Sequence, residues 1–156
     1  MCRTICALVV CLSALASAAE FKDCGSSVGK YSSISISDCG ASDSECILTK
    51  GTNATIEISF STVEPVNAVK AVVHGILTGV PIPFPISHPD ACANPDTGIT
   101  CPLKKDQAYT YRKTFPILAQ YPKVKVEVKW ELQNEKRQDI VCILIPAKIQ
   151  EKKSAN

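Results

Sequence analysis

Apolar residues recur at every second position in several short stretches of the chain, the period of a strand with one buried face. The longest of these runs from Val124 to Leu132. Val124, Val126, Val128, Trp130 and Leu132 are set to face a core, and Lys125, Glu127, Lys129 and Glu131 to face water. Ile56, Ile58 and Phe60 alternate with Glu57 and Ser59, while Ile34 and Ile36 alternate with serines. Residues 68–77 form a β-branched run, and Tyr109 and Tyr111 mark a further strand. Residues 140–145 are apolar without interruption, which predicts a strand lying centrally in a sheet. Gly, Pro, Asn and Asp punctuate the gaps, and no long stretch carries the helical period. Six or seven short antiparallel strands predict an all-β sandwich.

One segment departs from this pattern. Gly79-Val80-Pro81-Ile82-Pro83-Phe84-Pro85-Ile86 is strongly apolar, yet its three prolines are incompatible with a central strand. Proline fixes its own backbone and pushes its predecessor toward extended geometry. The segment is expected to be a stiff, extended, apolar surface loop. It either plugs the end of the sandwich or lines the mouth of an apolar cavity and meets a lipid or receptor surface. Phe115-Pro116-Ile117-Leu118 with Tyr121-Pro122 forms a second apolar corner.

The first residues carry Arg3, an apolar stretch to Leu15 and Ala16-Ser17-Ala18, the layout of a secretory signal peptide. The stretch is too short to span a bilayer. The expected division is a signal peptide over 1–19, one domain over 20–150 and a polar tail over 151–156. Cleavage removes Cys2, Cys6 and Cys11 and leaves Cys24, Cys39, Cys46, Cys92, Cys101 and Cys142, an even set that implies a disulfide framework. Cys39 and Cys46 bracket a turn-rich loop, as do Cys92 and Cys101, so each pair can close locally, which leaves Cys24 for Cys142. The spacings match no zinc site, and no metal is expected. Asn53-Ala54-Thr55 is a glycosylation sequon consistent with the secretory route. The full chain has a formal charge of +2, which falls to about +1 once Arg3 is removed. That charge, without a concentrated basic patch, argues against nucleic acid as a partner.

Candidate chemistry is sparse. His74 follows Val72-Val73 in a strand and reads as a structural histidine with a satisfied hydrogen bond. His88, in a proline-rich loop, reads as exposed. No nucleophile elbow, phosphate loop or metal-binding histidine pair occurs, and the disulfides leave no free thiol. Neither an enzyme nor a cofactor is expected.

Several stretches resemble the soluble sterol carriers of Niemann-Pick type C disease, the epididymal secretory members of the ML lipid-recognition family. They are Phe21-Lys22-Asp23-Cys24-Gly25, the run from Ala71 through His74-Gly75-Ile76-Leu77 to Ile86, Cys101-Pro102-Leu103-Lys104-Lys105-Asp106, and Tyr121-Pro122 with the strand carrying Trp130. The resemblance covers essentially all of the chain after residue 19. It implies an immunoglobulin-like sandwich of seven strands in two sheets, three bridges at the pairs given above, and a lipid cavity between the sheets. It places Phe84, Ile117 and Tyr121 at the pocket mouth; by apolar type, interior Ile, Val and Phe side chains, Phe60 among them, are expected as walls, with Trp130 near the cargo. Val80, Pro81 and Ile82 fall on the loop that meets a membrane partner, and Lys50 and Asp90 on positions linked to transfer. Ile117 stands where the mammalian carriers have valine, and Ala93 where they have lysine. The implied function is a secreted, monomeric, non-enzymatic carrier of sterol that delivers to membranes or a membrane-embedded transporter, in the extracellular fluid or the lysosome. The same fold also serves extracellular carriers of fatty acids or semiochemicals and proteins that present lipid to immune receptors.

Overall fold

In the computed structural model the described residues are 20–40 and 43–154. The expected signal peptide over 1–19 lies outside them. Among the described residues nine strands form two sheets: β1 (Lys22–Asp23), β2 (Gly29–Ile36), β3 (Cys46–Thr49), β4 (Thr52–Thr62), β5 (Lys70–Leu77), β6 (Val80–Phe84), β7 (Tyr109–Ile117), β8 (Lys125–Gln133) and β9 (Asp139–Gln150). One sheet runs β1-β9-β8-β5-β6, with β3 joining the same edge of β9 in parallel; the other runs β2-β4-β7. The sandwich expected from the alternation is therefore present, with short strands added at its margins.

The inner faces follow the period of two. Ala54, Ile56, Ile58, Phe60 and Thr62 of β4 are buried, and their intervening neighbours are half-buried or exposed. They meet Ala71 and Val73 of β5 and Trp130 and Leu132 of β8 from the opposite sheet, in one continuous core. Burial of each large apolar side chain contributes about 1.5–3 kcal/mol. Ile140, Val141, Cys142 and Ile143 are all fully buried, as expected for the unbroken apolar run, because β9 lies between β8 and the β1–β3 edge.

Three expectations need correction. The proline segment is a strand, not a loop: β6 pairs antiparallel with β5 from Leu77↔Val80 to Val73↔Phe84. Thr78 and Gly79 both have positive φ, +48° and +83°, which is the two-residue turn that matches strand twist. Counting from that turn, Val80, Ile82 and Phe84 fall at hydrogen-bonded pairs. Pro81 and Pro83 fall at the alternate pairs, where the nitrogen points away from β5 and no hydrogen is missed. Glu131, expected to face water, is 5 % exposed. It neighbours the bridged Cys142 across the β8–β9 ladder and lies among Lys129, His74 and Asp139 on that outer face. His74 is not satisfied either: its Nδ1 is buried with no hydrogen-bond partner among the described residues, 3.6 Å from a Glu131 oxygen.

The three expected bridges, Cys24–Cys142, Cys39–Cys46 and Cys92–Cys101, are all present. The first fastens one side of the sandwich. On that side Gly29 of β2 lies directly against Ile140 of β9 and Ser61 of β4. The opposite side, between β6 and β7, is where the sheets part.

Candidate functional site: an apolar inter-sheet cavity

The parting is lined by apolar side chains from both sheets. An inner cavity of about 40 Å³ lies among Val73, Phe84, Phe115, Ile117, Val128 and Trp130, with Leu48 and Ile149 behind. An outer cleft of about 370 Å³ shares Phe84, Tyr121 and Ile149 with it and opens past Leu77, Ile82, Leu118, Pro122 and Val126. Pockets for drug-sized molecules span about 300–1,000 Å³. The outer cleft falls in that range and the inner cavity far below it, so a large ligand can enter only by moving the walls.

The walls that stand in the way are aromatic. Phe84, ending β6, meets Tyr121 at 5.5 Å and Phe115 at 6.3 Å between ring centroids, both edge to face. Phe115 in turn lies 5.5 Å from Trp130, which lies 6.3 Å from Tyr111. Edge-to-face pairs contribute about 0.5–1.5 kcal/mol each. Displacing Phe84 therefore costs roughly 1–3 kcal/mol, which the apolar surface of an entering ligand can offset at about 25 cal/mol per Å². His74 and Tyr121 are the ionisable residues of the inner lining. Burial raises the Tyr121 phenol above its ordinary range, so it stays protonated.

The structure thus brings together Phe84, Ile117, Tyr121 and Trp130. It does not bring Phe60 to them. Phe60 pairs with Tyr109 at one end of the β4–β7 ladder and Ile117 with Thr52 at the other, about 25 Å apart at the strand rise. Val80, Pro81 and Ile82 are exposed on β6, with Ile82 on the wall of the outer cleft. Lys50 is half-buried at the β3–β4 turn, and its Nζ donates to Glu151 at 2.7 Å, so it is not a free cation. That ion pair holds the Glu151 carboxyl below its usual range. Asp90 caps its own loop, accepting from the backbone N–H groups of Cys92 and Ala93, and lines neither cavity. Asn53 is exposed on β4 opposite Pro116. Phe115, Leu48, Val73, Val128 and Ile149 line the inner cavity without having been singled out. Phe115 belongs to the second apolar corner, but Lys113 interrupts the apolar alternation of β7 just before it.

On the outer face of the larger sheet lies a buried charged group. Glu131 accepts from Lys129 Nζ at 2.9 Å. Asp139 accepts from Gln133 at 3.3 Å, and its carboxyl is raised above its usual range by burial first and by the nearby Glu131 charge second. A carboxyl whose folded pKa is raised contributes stability below its unfolded value, near 4, and loses that contribution as pH rises through the folded value. Asp139→Asn removes the charge while keeping an acceptor for Gln133. At pH 7 the variant should melt above the wild type, and the gap should close as the pH falls to 4. Melting curves across that range check it, and a gap independent of pH would refute the repulsion. Glu131, Asp139 and Cys142 lie close enough to suggest a metal triad, but the sulfur of Cys142 is bonded to Cys24 and supplies no thiolate.

Residues 18–149 match the ML domain family. The chain is 48 % identical over 146 residues to the NPC intracellular cholesterol transporter 2 homolog a of Drosophila melanogaster, covering 92 % of this chain and 97 % of that one. It is 39 % identical over 143 residues to the NPC intracellular cholesterol transporter 2 of Bos taurus, covering 92 % and 93 %. A Niemann-Pick type C2 protein from the Japanese carpenter ant superposes with a TM-score of 0.82 at 40 % identity, covering 84 % of this chain and 99 % of that one. Chicken MD-1, solved with lipid IVa, superposes with a TM-score of 0.55 at 21 % identity over 82 % and 86 % of the two chains, a likeness of fold alone. With its two-sheet sandwich parted on one side over an apolar cavity, this chain belongs to the ML domain family, among the soluble Niemann-Pick type C sterol carriers.

Proposed function

We propose that this protein is a secreted, non-enzymatic carrier that takes a sterol between its two sheets and releases it at a membrane or to a membrane-embedded partner. The carrying observation is the continuity of the inner cavity with the outer cleft through Phe84 and Tyr121. An almost wholly apolar lining suits solvation of a lipid and offers no nucleophile paired with a base. The relatives named as cholesterol transporters support sterol as the cargo. Val80, Pro81 and Ile82, exposed beside the cleft, form the surface that meets the acceptor; the secretory sequon at Asn53 lies on the outer face of the smaller sheet.

Trp130 is the only tryptophan of the chain and lines the cavity, so its fluorescence reports cargo directly. Titration with a fluorescent sterol analogue should show saturable energy transfer from Trp130. Once displaced, the Phe84 ring packs along the cargo, so Phe84→Ala loses that contact as well as the displacement cost, and binding should weaken at least tenfold, a net loss of about 1.4 kcal/mol. Absence of saturable transfer in the oxidised wild type would sink the sterol reading. The narrow inner cavity favours one second reading, a thin acyl chain that displaces the walls less than a rigid ring system. Displacement of the analogue by oleate at lower concentration than by cholesterol would select it.

A further inference from the structure

We propose that a second, polar cleft, between β7 and the loop spanning residues 87–96, binds a phosphate-type oxyanion. The observation behind it is Lys113. This residue sits on the inner face of β7, between Tyr111 and Phe115, and is only 7 % exposed. Its Nζ donates to the Ser87 carbonyl, and it joins none of the ion pairs among the described residues. An ammonium has three donors, and a buried one is stable when an opposite charge compensates its lost hydration. Here one neutral carbonyl is the partner.

Lys113 and its partner Ser87 both line a cleft of about 390 Å³ whose walls are mostly polar. Arg112, the next residue, lies on the same cleft. Its Nη1 donates to Glu57 at 2.8 Å, which leaves the rest of the guanidinium fork. Arg112 points to the face of β7 opposite Lys113; its donors not used by Glu57 suit the oxygens of a phosphate, and the buried lysine would add a point charge from the other side of the strand edge. Asp96 is the carboxylate of the lining and Glu57 already partners Arg112, so among the described residues Lys113 is the lining cation without a carboxylate partner. Asn94 uses its side-chain oxygen to accept from the Asp96 N–H, so its amide nitrogen remains to donate. The volume exceeds what a bare phosphate fills and admits a phosphomonoester. This cleft shares no lining residue with the apolar cavity, so its occupancy is independent of the cargo reading.

The test is an amide chemical-shift titration of the oxidised protein with inorganic phosphate and, separately, with glycerol phosphate, at ionic strength held constant with chloride. Saturable shifts confined to residues 87–96 and 112–114 are expected. Lys113→Met should weaken binding at least tenfold. Arg112→Gln, at an exposed position outside the core, should weaken it several-fold and keeps the test decisive if the lysine variant folds poorly. Tighter binding of glycerol phosphate identifies a phosphomonoester as the natural source, and tighter binding of phosphate identifies the free ion; either supports the site. Shifts that do not saturate, that chloride reproduces, or that Arg112→Gln leaves unchanged would overturn it and leave Lys113 as a pin for its loop.

Discussion

Removing the Cys24–Cys142 bridge, with Cys24→Ser and Cys142→Ala together, should lower the unfolding free energy by about 4–5 kcal/mol. The bridge closes a sequence separation of 118 residues, and constraining so long a loop in the unfolded chain has an effect of that size. The other two bridges close separations of 7 and 9 residues, for about 2.5 kcal/mol each on the same scale. The midpoint of melting should fall by roughly 10–20 °C. Because the released chain exposes more surface when unfolded, the denaturant slope should rise as well. Alanine is specified at position 142 because that site is fully buried, where a serine hydroxyl would add an unpaired polar group. A loss below 1 kcal/mol with an unchanged slope would show that the long bridge is not what fastens this side of the sandwich.

Gly29→Ala is expected to cost about 3 kcal/mol or more, at the upper end of overpacking effects. A Cβ at that position would lie 2.5 Å from the Ile140 carbonyl oxygen and 2.8 Å from that of Ser61. Both obstacles are backbone, one in each sheet, so neither can turn aside as a flexible side chain would. Denaturation should show the loss at an unchanged slope, which separates this packing effect from the chain-length effect of the missing bridge. Stability within 1 kcal/mol of the wild type would mean that the sheets can separate there without penalty. The two results together locate rigidity on the β2–β9 side and leave the β6–β7 side to open for cargo.

The strands with one wet face were readable because alternation has a single meaning there. Val126, Val128, Trp130 and Leu132 point inward as their spacing predicts. Glu131 was misread because the period of two distinguishes the faces of a sheet but not whether the outer face is later covered. The neighbours of Glu131 there are Lys129, His74, Asp139 and the bridged Cys142. Proline forbids a central strand, but an edge strand tolerates it at alternate pairs, and which of the two applies depends on the turn at Thr78-Gly79. Phe84, Ile117 and Tyr121 were found through family likeness and do converge. Phe60 was placed among the walls for its apolar type, and only the β4–β7 register shows it at the far end. Lys113 is not legible in the sequence because a lysine breaking an apolar alternation reads as an outward residue, while its long stem lets it lie inward and reach the loop.

The two prolines of β6 have a further effect at the free margin of the larger sheet. At the alternate pairs of an edge strand both the nitrogen and the carbonyl face outward, and at Pro81 and Pro83 that nitrogen carries no hydrogen. The margin can accept hydrogen bonds at these pairs but cannot donate any, so a neighbouring molecule cannot dock there as an additional strand. Val80 and Ile82 remain 58 % and 47 % exposed on the same strand. Ordinarily such a greasy edge seeds intermolecular β-pairing. Here the backbone cannot donate to another backbone at these pairs, while the Val80 and Ile82 side chains stay exposed, so the margin favours apolar contact over strand addition.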